Sequence, residues 1–244
     1  MTNLSVNLNK VALIRNSRHI GIPSVTKAAK ICIAAGADGI TVHPRPDERH
    51  IRRSDVYELA EIVTTVEFNI EGNPFQPPFM EIVRDVRPTQ CTLVPDAPDT
   101  FTSDSGWNIT KDGKRLIPII EELKSLGIRV SLFMDADLAQ IEKVPETNAD
   151  RIELYTEPYA TAFRENKNLE SLFQTYADAA KKAQELGLGI NAGHDLNLEN
   201  LAKFLTIPGI LEVSIGHALI AEALEMGLSN TVKEYIKICR ATKK

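Results

Sequence analysis

The stretch Ser24-Val25-Thr26-Lys27-Ala28-Ala29-Lys30-Ile31-Cys32-Ile33-Ala34-Ala35-Gly36-Ala37-Asp38-Gly39-Ile40-Thr41-Val42-His43 decides the fold, because it contains one whole helix-to-strand unit. Ser24 is a good helix N-cap, and the amphipathic run behind it reads as a helix over residues 24–35. Gly36 ends that helix, since glycine enters left-handed backbone without a steric penalty. Residues 39–43 then read as a short strand. Working outward, further β-like runs lie at 4–9, 67–71, 90–95, 129–135, 151–156, 189–194 and 211–217. Helix-like stretches lie at 54–65, 78–87, 115–126, 138–143, 169–186, 198–205, 218–226 and 231–240. Ser54 and Asn197 read as further caps, and Gly127 and Gly187 as further helix ends.

Strands that alternate with helices across short connections are parallel, because a hairpin turn leaves no room for a helix. About eight such units in 244 residues is the proportion of a TIM (β/α)8 barrel with additional helices. A doubly wound open sheet is the alternative. It is disfavoured because no G-x-G-x-x-G follows the first strand and no change of composition divides the chain. Residues 1–244 therefore read as a single barrel domain.

Composition narrows the function classes. The chain is 43% hydrophobic and 25% charged, with a net charge of −5, which excludes a disordered or collagen-like protein. The acidic balance argues against nucleic-acid binding, and no apolar run reaches the ~20 residues of a membrane span. Cys32, Cys91 and Cys239 have no C-x-x-C spacing, and the first residues lack a signal-peptide pattern. The expectation is a reduced, cytoplasmic protein.

In a TIM barrel, chemistry sits at the C-terminal ends of the strands. Unusual polar residues collect there: Asn7, Asn9, Lys10 and Arg18 after the first run, His43, Arg45 and His50 after the second, and Glu71 in the third. Asp135, Glu153, His194 and Asp195, then Gly216 and His217, follow in the later runs. All five histidines lie at or beyond these ends, His19 with the weakest claim. Histidine moves protons in both directions near neutrality. Glu71 reads either as a base with a raised pKa or as the partner of a neighbouring cation; Glu153 has the same two readings, with the structural one favoured. Gly216-His217 opens a helix, where backbone N–H groups can meet an anion. Arg18, Arg45 and His50 offer donors to a second anion, whereas Arg49, Arg52 and Arg53 read as a solvated, charge-paired loop. There is no H-E-x-x-H and no G-x-S-x-G, so neither a zinc site nor a serine nucleophile is expected. Lys10 is the one lysine placed for Schiff-base chemistry, and anion binding or pairing with an acid is the preferred reading. The polar stretches 96–113 and 157–168 read as lids.

Several blocks in order resemble the pyridoxine 5′-phosphate synthases, the ring-closing enzymes of vitamin B6 synthesis. They are Ser5-Val6-Asn7, Leu13-Ile14-Arg15-Asn16-Ser17-Arg18, Ala35 to His43, Asp47-Glu48-Arg49-His50-Ile51, Asn69-Ile70-Glu71, Leu93-Val94-Pro95, Val130 to Asp137, Asn191-Ala192-Gly193-His194 and Ile215-Gly216-His217-Ala218. The resemblance implies a TIM barrel, cytoplasmic and homo-octameric, with no organic cofactor. It implies that 1-deoxy-D-xylulose 5-phosphate condenses with 3-amino-2-oxopropyl phosphate to give pyridoxine 5′-phosphate, phosphate and water. It further implies that His43 and Glu71 accept protons and that His194 donates one. Asn7, Arg18, Gly216 and His217 match contacts to the aminoketone phosphate; Arg45, His50, Thr102 and the neighbourhood of Gly193 match contacts to the other substrate. This chain departs from the family pattern at Asn9-Lys10, where Asp-His is common, at Tyr155 and Glu157, where His and Gly are common, and at Asp195, where some members have glycine.

Overall fold

The computed structural model describes residues 1–97, 100 and 102–241. Among them, eight parallel strands close into a barrel in the order β1 to β8, each paired with its sequence neighbours and β8 with β1. The strands are β1 (Asn3–Asn7), β2 (Gly39–Val42), β3 (Glu67–Gly72), β4 (Gln90–Leu93), β5 (Arg129–Met134), β6 (Arg151–Tyr155), β7 (Gly189–Gly193) and β8 (Ile210–Ile215). The helices are α1 (Asn9–Asn16), α2 (Val25–Ala35), α3 (Arg53–Ile62), α4 (Phe79–Val86), α5 (Ile109–Ser125), α6 (Leu138–Ile141), α7 (Glu157–Glu165), α8 (Leu169–Glu185), α9 (Leu201–Phe204), α10 (His217–Met226) and α11 (Leu228–Ala241). The barrel, not the open sheet, is therefore the fold.

The helix-to-strand unit over residues 24–43 forms as expected. Ser24 accepts a hydrogen bond from the Lys27 N–H, and Gly36 caps α2 at φ 103°. Side chains alternate across each strand. One row, including Leu4, Val6, Ile40, Val42, Ile70, Leu132, Ile152 and Val213, is buried among the apolar residues of the core. Removing each such side chain from water contributes roughly 1.5–3 kcal/mol. The other row fills the barrel and is polar: Ser5, Thr41, Asn69, Gln90, Thr92, Ser131, Glu153, Asn191, Glu212 and Ser214 are all buried. Barrel interiors are more often filled by branched aliphatic residues. Here the layer is knit by hydrogen bonds instead, with Ser5 against Thr41 at 2.7 Å, Asn69 donating to Thr41 and Thr92 at 3.3 and 3.1 Å, and Asn191 donating to Glu212 at 3.3 Å.

Several expectations are corrected. Asn9 and Lys10 lie in the first turn of α1, not at a strand end. Their short polar pattern gave no amphipathic signal, and Asn7 turns the chain by accepting from the Asn9 N–H at 2.9 Å. Ser54 is inside α3, whose N-cap is Arg52. Helix α5 begins at Ile109, ahead of the expected residue 115, because Asn108 caps it by accepting from Lys111. The α-helix expected over 198–205 is only Leu201–Phe204, although Asn197 accepts from the N–H groups of Glu199 and Asn200. The supposed lid at 157–168 is largely helix α7. Of the stretch 96–113, residues 98, 99 and 101 lie outside the described residues, and the last part belongs to α5. Among the described residues no helix is long and apolar enough to cross a membrane.

Gly106 marks where that stretch rests on the barrel. A Cβ there would lie 2.3 Å from the Asp135 nitrogen and 2.6 Å from Met134 backbone atoms. The next residue, Trp107, donates its backbone N–H to Phe133 and its ring N–H to Leu93, at 2.9 and 2.8 Å. Backbone cannot yield as a side chain tip can, so Gly106→Ala should destabilise the protein by about 1–3 kcal/mol. Differential scanning calorimetry should show Tm lowered by roughly 2–10 °C.

Candidate active site

The C-terminal rim of the barrel gathers the residues expected to carry chemistry. Glu71, near the end of β3, and His43, directly after β2, are both buried, with His43 Nδ1 3.8 Å from a Glu71 carboxylate oxygen. Asn7, the last residue of β1, donates to the same oxygen at 3.3 Å. Asn9 accepts from the His43 backbone N–H at 2.9 Å, tying α1 to the rim of β2. Asn9 thus holds the backbone that carries His43.

Behind His43 stands His50, with ring centroids 6.2 Å apart. His50 Nδ1 accepts from the Ile51 N–H at 2.8 Å, which fixes the ring and makes Nδ1 an acceptor. Arg45 is buried and already engaged: it pairs with Asp96 at 2.5 Å and donates to the Thr100 carbonyl at 2.9 Å. Ser103 adds a hydrogen bond to Asp96 at 2.7 Å. A small pocket between β2 and β3 is walled by His43, Arg45, Gly72, Asn73 and Asp96. Arg49 pairs with Asp47 and Arg53 with Glu81, as the charge-paired reading has it for those two, although Arg53 opens α3 and Arg52 meets Asp55 through its backbone N–H.

Across the mouth, Glu153 on β6 is buried and accepts from Thr92 at 3.2 Å. It lies against Gly193, where an added Cβ would be 2.7 Å from a Glu153 carboxylate oxygen. His194 follows in left-handed backbone at φ 84°, as does Asp195 at φ 57°. That conformation costs roughly 1–2 kcal/mol for a residue with a Cβ. The imidazole packs between Phe133 and Tyr155, with centroids at 5.0 and 5.4 Å, and its buried Nδ1 has no hydrogen-bond partner. Gly216 caps α10, and a Cβ there would sit 3.1–3.2 Å from Asn7 side-chain atoms; His217, the first residue of the helix, is exposed. Arg18, His19, Thr102 and Asp195 are exposed, and Lys10 is half-buried. The structure therefore brings Asn7, Asn9, His43, Arg45, His50 and Glu71 into one linked cluster, with Glu153, Gly193 and His194 forming a second. It draws neither Arg18 nor Thr102 into hydrogen bonds with either.

Burial dominates the electrostatics. It pushes the Glu71 carboxyl upward, with the Asp96 charge adding to it and Arg45 opposing, and it raises Glu153 still more strongly. A carboxyl raised in this way can hold or release a proton near neutrality. Burial and then Arg45 hold His43 well below the ordinary imidazole range, and burial, Arg45 and Lys10 bring His50 down to about 3. His194 is lowered by burial against the pull of the Asp195 and Asp96 carboxylates. Neutral imidazoles beside protonatable carboxyls are the components of general acid–base chemistry. Among the described residues, no three His, Cys, Asp or Glu side chains are grouped to hold a metal ion.

Sequence reading missed Asp96 as a partner of Arg45, and missed Thr92, Phe133 and Thr156. Asp96 was visible as an acid just past a strand end. Nothing along the chain distinguished the other three from ordinary strand residues.

A parallel barrel with buried acids and bases at its C-terminal rim defines an enzyme of the TIM-barrel class. Similar solved barrels share the fold alone: KGPDC from Streptococcus mutans has a TM-score of 0.66 at 11% identity, covering 100% of both chains. N-(5′-phosphoribosyl)anthranilate isomerase from Pyrococcus furiosus has a TM-score of 0.63 at 12% identity, covering 99% of this chain and 100% of that one. The family described as pyridoxal phosphate biosynthesis protein PdxJ matches residues 4–241, and the chain belongs to it. Pyridoxine 5′-phosphate synthase of Parabacteroides distasonis is 56% identical over 240 residues, 98% of this chain and 99% of that protein. The synthase of Xanthomonas campestris pv. campestris strain B100 is 55% identical over 246 residues, 97% and 96% of the two chains. The chain is accordingly a biosynthetic enzyme of the vitamin B6 pathway.

The raised carboxyls have a consequence for stability. Glu212, in the polar interior, is pushed up to about 7 by burial and then by Glu67. As pH rises from the ordinary carboxylate range to about 7, the unfolded chain releases this proton before the folded one does, so stability falls across that interval. Glu71 and Glu153 act in the same direction, whereas the lowered His43 and His50 remove stability as pH falls below the ordinary imidazole value. Glu212→Gln should therefore raise Tm relative to the unsubstituted protein more at pH 8 than at pH 5. The opposite order would contradict a raised carboxyl.

Proposed function

We propose that this chain condenses 1-deoxy-D-xylulose 5-phosphate with 3-amino-2-oxopropyl phosphate to form pyridoxine 5′-phosphate, phosphate and water. The observation that carries the reading is the buried Glu71 carboxyl beside neutral His43, facing a rim that also holds His194. An amine meeting a ketone forms an imine, with loss of one water. Successive proton removals and returns then make enamines, from which the phosphate leaves with its C–O bond electrons, and closing the aromatic ring expels a second water. Several weak acids and bases around one cavity suit this better than one strong nucleophile. Glu71 and His43 accept protons, His194 donates one, and Glu153 is a supporting acid. Two phosphorylated substrates bring negative charge into the mouth, which raises every pKa there and equips His194 to donate.

The phosphate of the aminoketone is assigned to Asn7, Gly216, His217 and Arg18, at the N-terminus of α10. The second phosphate is assigned to Arg45 and His50, with Thr102, Gly193 and Asp195 at its edge. Because Arg45 is paired with Asp96 in the free protein, that phosphate must exchange for the carboxylate. A doubly charged phosphate competes well for a bidentate guanidinium. Lys10, which acts electrostatically on His50, supports the same anion.

The same reading takes residues 1–244 as one barrel domain, without an organic cofactor, cytoplasmic and homo-octameric. All three cysteines are buried thiols, which suits a reducing compartment. Exposed Ile14, Ile22 and Leu224 line an apolar groove between α1, α2 and α10, which suits self-association.

Purified protein mixed with both substrates should form the pyridoxine chromophore and release phosphate. Glu71→Gln and His194→Ala should each lower kcat by about 100-fold or more while keeping substrate binding, the scale for a lost acid or base. Binding of both phosphates without product would replace the synthase reading with that of a sugar-phosphate binding protein.

A further inference from the structure

The left-handed turn that carries His194 is braced from β6. The Thr156 hydroxyl, one residue past the end of that strand, lies 2.5 Å from the Gly193 carbonyl oxygen and 2.6 Å from that of His194. The Thr156 backbone N–H donates to the Gly193 carbonyl as well, at 3.0 Å. Among the described residues no other group donates to the His194 carbonyl. The third carbonyl of the turn, on Asp195, accepts from the Asn200 side chain at 3.1 Å, and the Asn200 carbonyl is in turn held by the Tyr159 hydroxyl at 2.9 Å. Three successive carbonyls are thus pinned through a segment where His194 and Asp195 both have positive φ.

The turn needs such pinning. Steric crowding returns an L-residue from positive φ to the right-handed regions unless surrounding contacts over-determine it. A return at His194 would swing the Cα–Cβ bond and carry the imidazole out of its place between Phe133 and Tyr155. Little else holds the ring among the described residues: its buried Nδ1 makes no well-formed hydrogen bond, the Gly193 backbone being the polar group that acts on it, so orientation comes chiefly from the backbone and two aromatic faces. Thr156 is also anchored where it stands, since the preceding carbonyl, on Tyr155, accepts from the Tyr176 hydroxyl at 2.5 Å.

We propose that Thr156 is a positioning residue for His194, its backbone N–H held by the Gly193 carbonyl and its single hydroxyl proton available to the His194 carbonyl, so that the strained turn presents the imidazole to the substrates. The proposal rests on the proton-transfer role assigned to His194. Thr156→Val keeps the shape and removes the donor, leaving a methyl against two carbonyl oxygens; Thr156→Ala removes the donor without crowding; Thr156→Ser keeps the donor.

The full-length protein with both substrates tests this. Thr156→Val and Thr156→Ala should lower kcat by about 10–100-fold, the scale of a reacting group displaced by about 1 Å. KM should rise by much less than kcat falls, because Arg45, His50, Asn7 and the N-terminus of α10, which are assigned the main phosphate contacts, are untouched. Thr156→Ser should recover most of the rate. In a His194→Ala background, Thr156→Ala should produce no further loss, since there is no ring left to place; a general structural defect would add its effect. A folded Thr156→Val or Thr156→Ala protein with near-normal kcat, alongside an inactive His194→Ala protein, overturns the positioning role. Equal losses with and without the imidazole overturn it too. An active His194→Ala protein instead removes the His194 assignment on which the proposal stands.

Discussion

Closing eight parallel strands leaves one inward-facing row of side chains per strand, and in this protein that row is polar. The rest of the structure follows from this constraint. The interior is held by hydrogen bonds among Ser5, Thr41, Asn69 and Thr92 and between Asn191 and Glu212, so carboxylates can be carried inside it without an aliphatic plug. Burial then does what no surface position would: it raises Glu71, Glu153 and Glu212 together and lowers the imidazoles of His43 and His194. A group taken out of water favours its neutral form, and closely spaced carboxyls reinforce one another. The stability given up in burying such groups is offset by the apolar row packed against the helices.

At the rim the same interior meets backbone that has been shaped to fit it. A side chain at Gly193 would meet the Glu153 carboxylate and the Ser214 carbonyl, and one at Gly216 would press on Asn7. His194 and Asp195 depart from ordinary backbone immediately after Gly193, and the strained geometry is held by neighbours just past β6 and before α9. On the opposite side, Arg45 enters the site already neutralised by Asp96. A buried guanidinium without an anion would be costly, so the free protein supplies a carboxylate at the place assigned to a phosphate.

Much of the fold was legible along the chain because strand and helix periods differ and because Gly36, Gly127 and Gly187 mark helix ends. All eight strands were found, with boundaries off by one or two residues at most ends. Helix α1 was not, since Asn9-Lys10 carries no apolar stripe and follows the strand without a break. Nor was α7, whose first turn holds Glu157 and Pro158 and so resembles a polar loop. At the site, residues with chemically distinctive side chains were found because they stood at strand ends. Thr92, Thr156 and Phe133 act only through what they touch, and sequence spacing does not encode touch.

The sequence by itself determined the alternation, hence the parallel barrel, and the ordered blocks that place the chain in its family. These are local or additive properties: a period of two against one of 3.6, a glycine where φ turns positive, a histidine where a strand stops. Tertiary structure decided which acids face one another, which are dry, and which arginine is already paired. Those outcomes come from closure of the barrel, which brings residues as distant as Asn7 and Glu71, or Thr92 and Glu153, within hydrogen-bond reach and excludes the water that would otherwise level their charges.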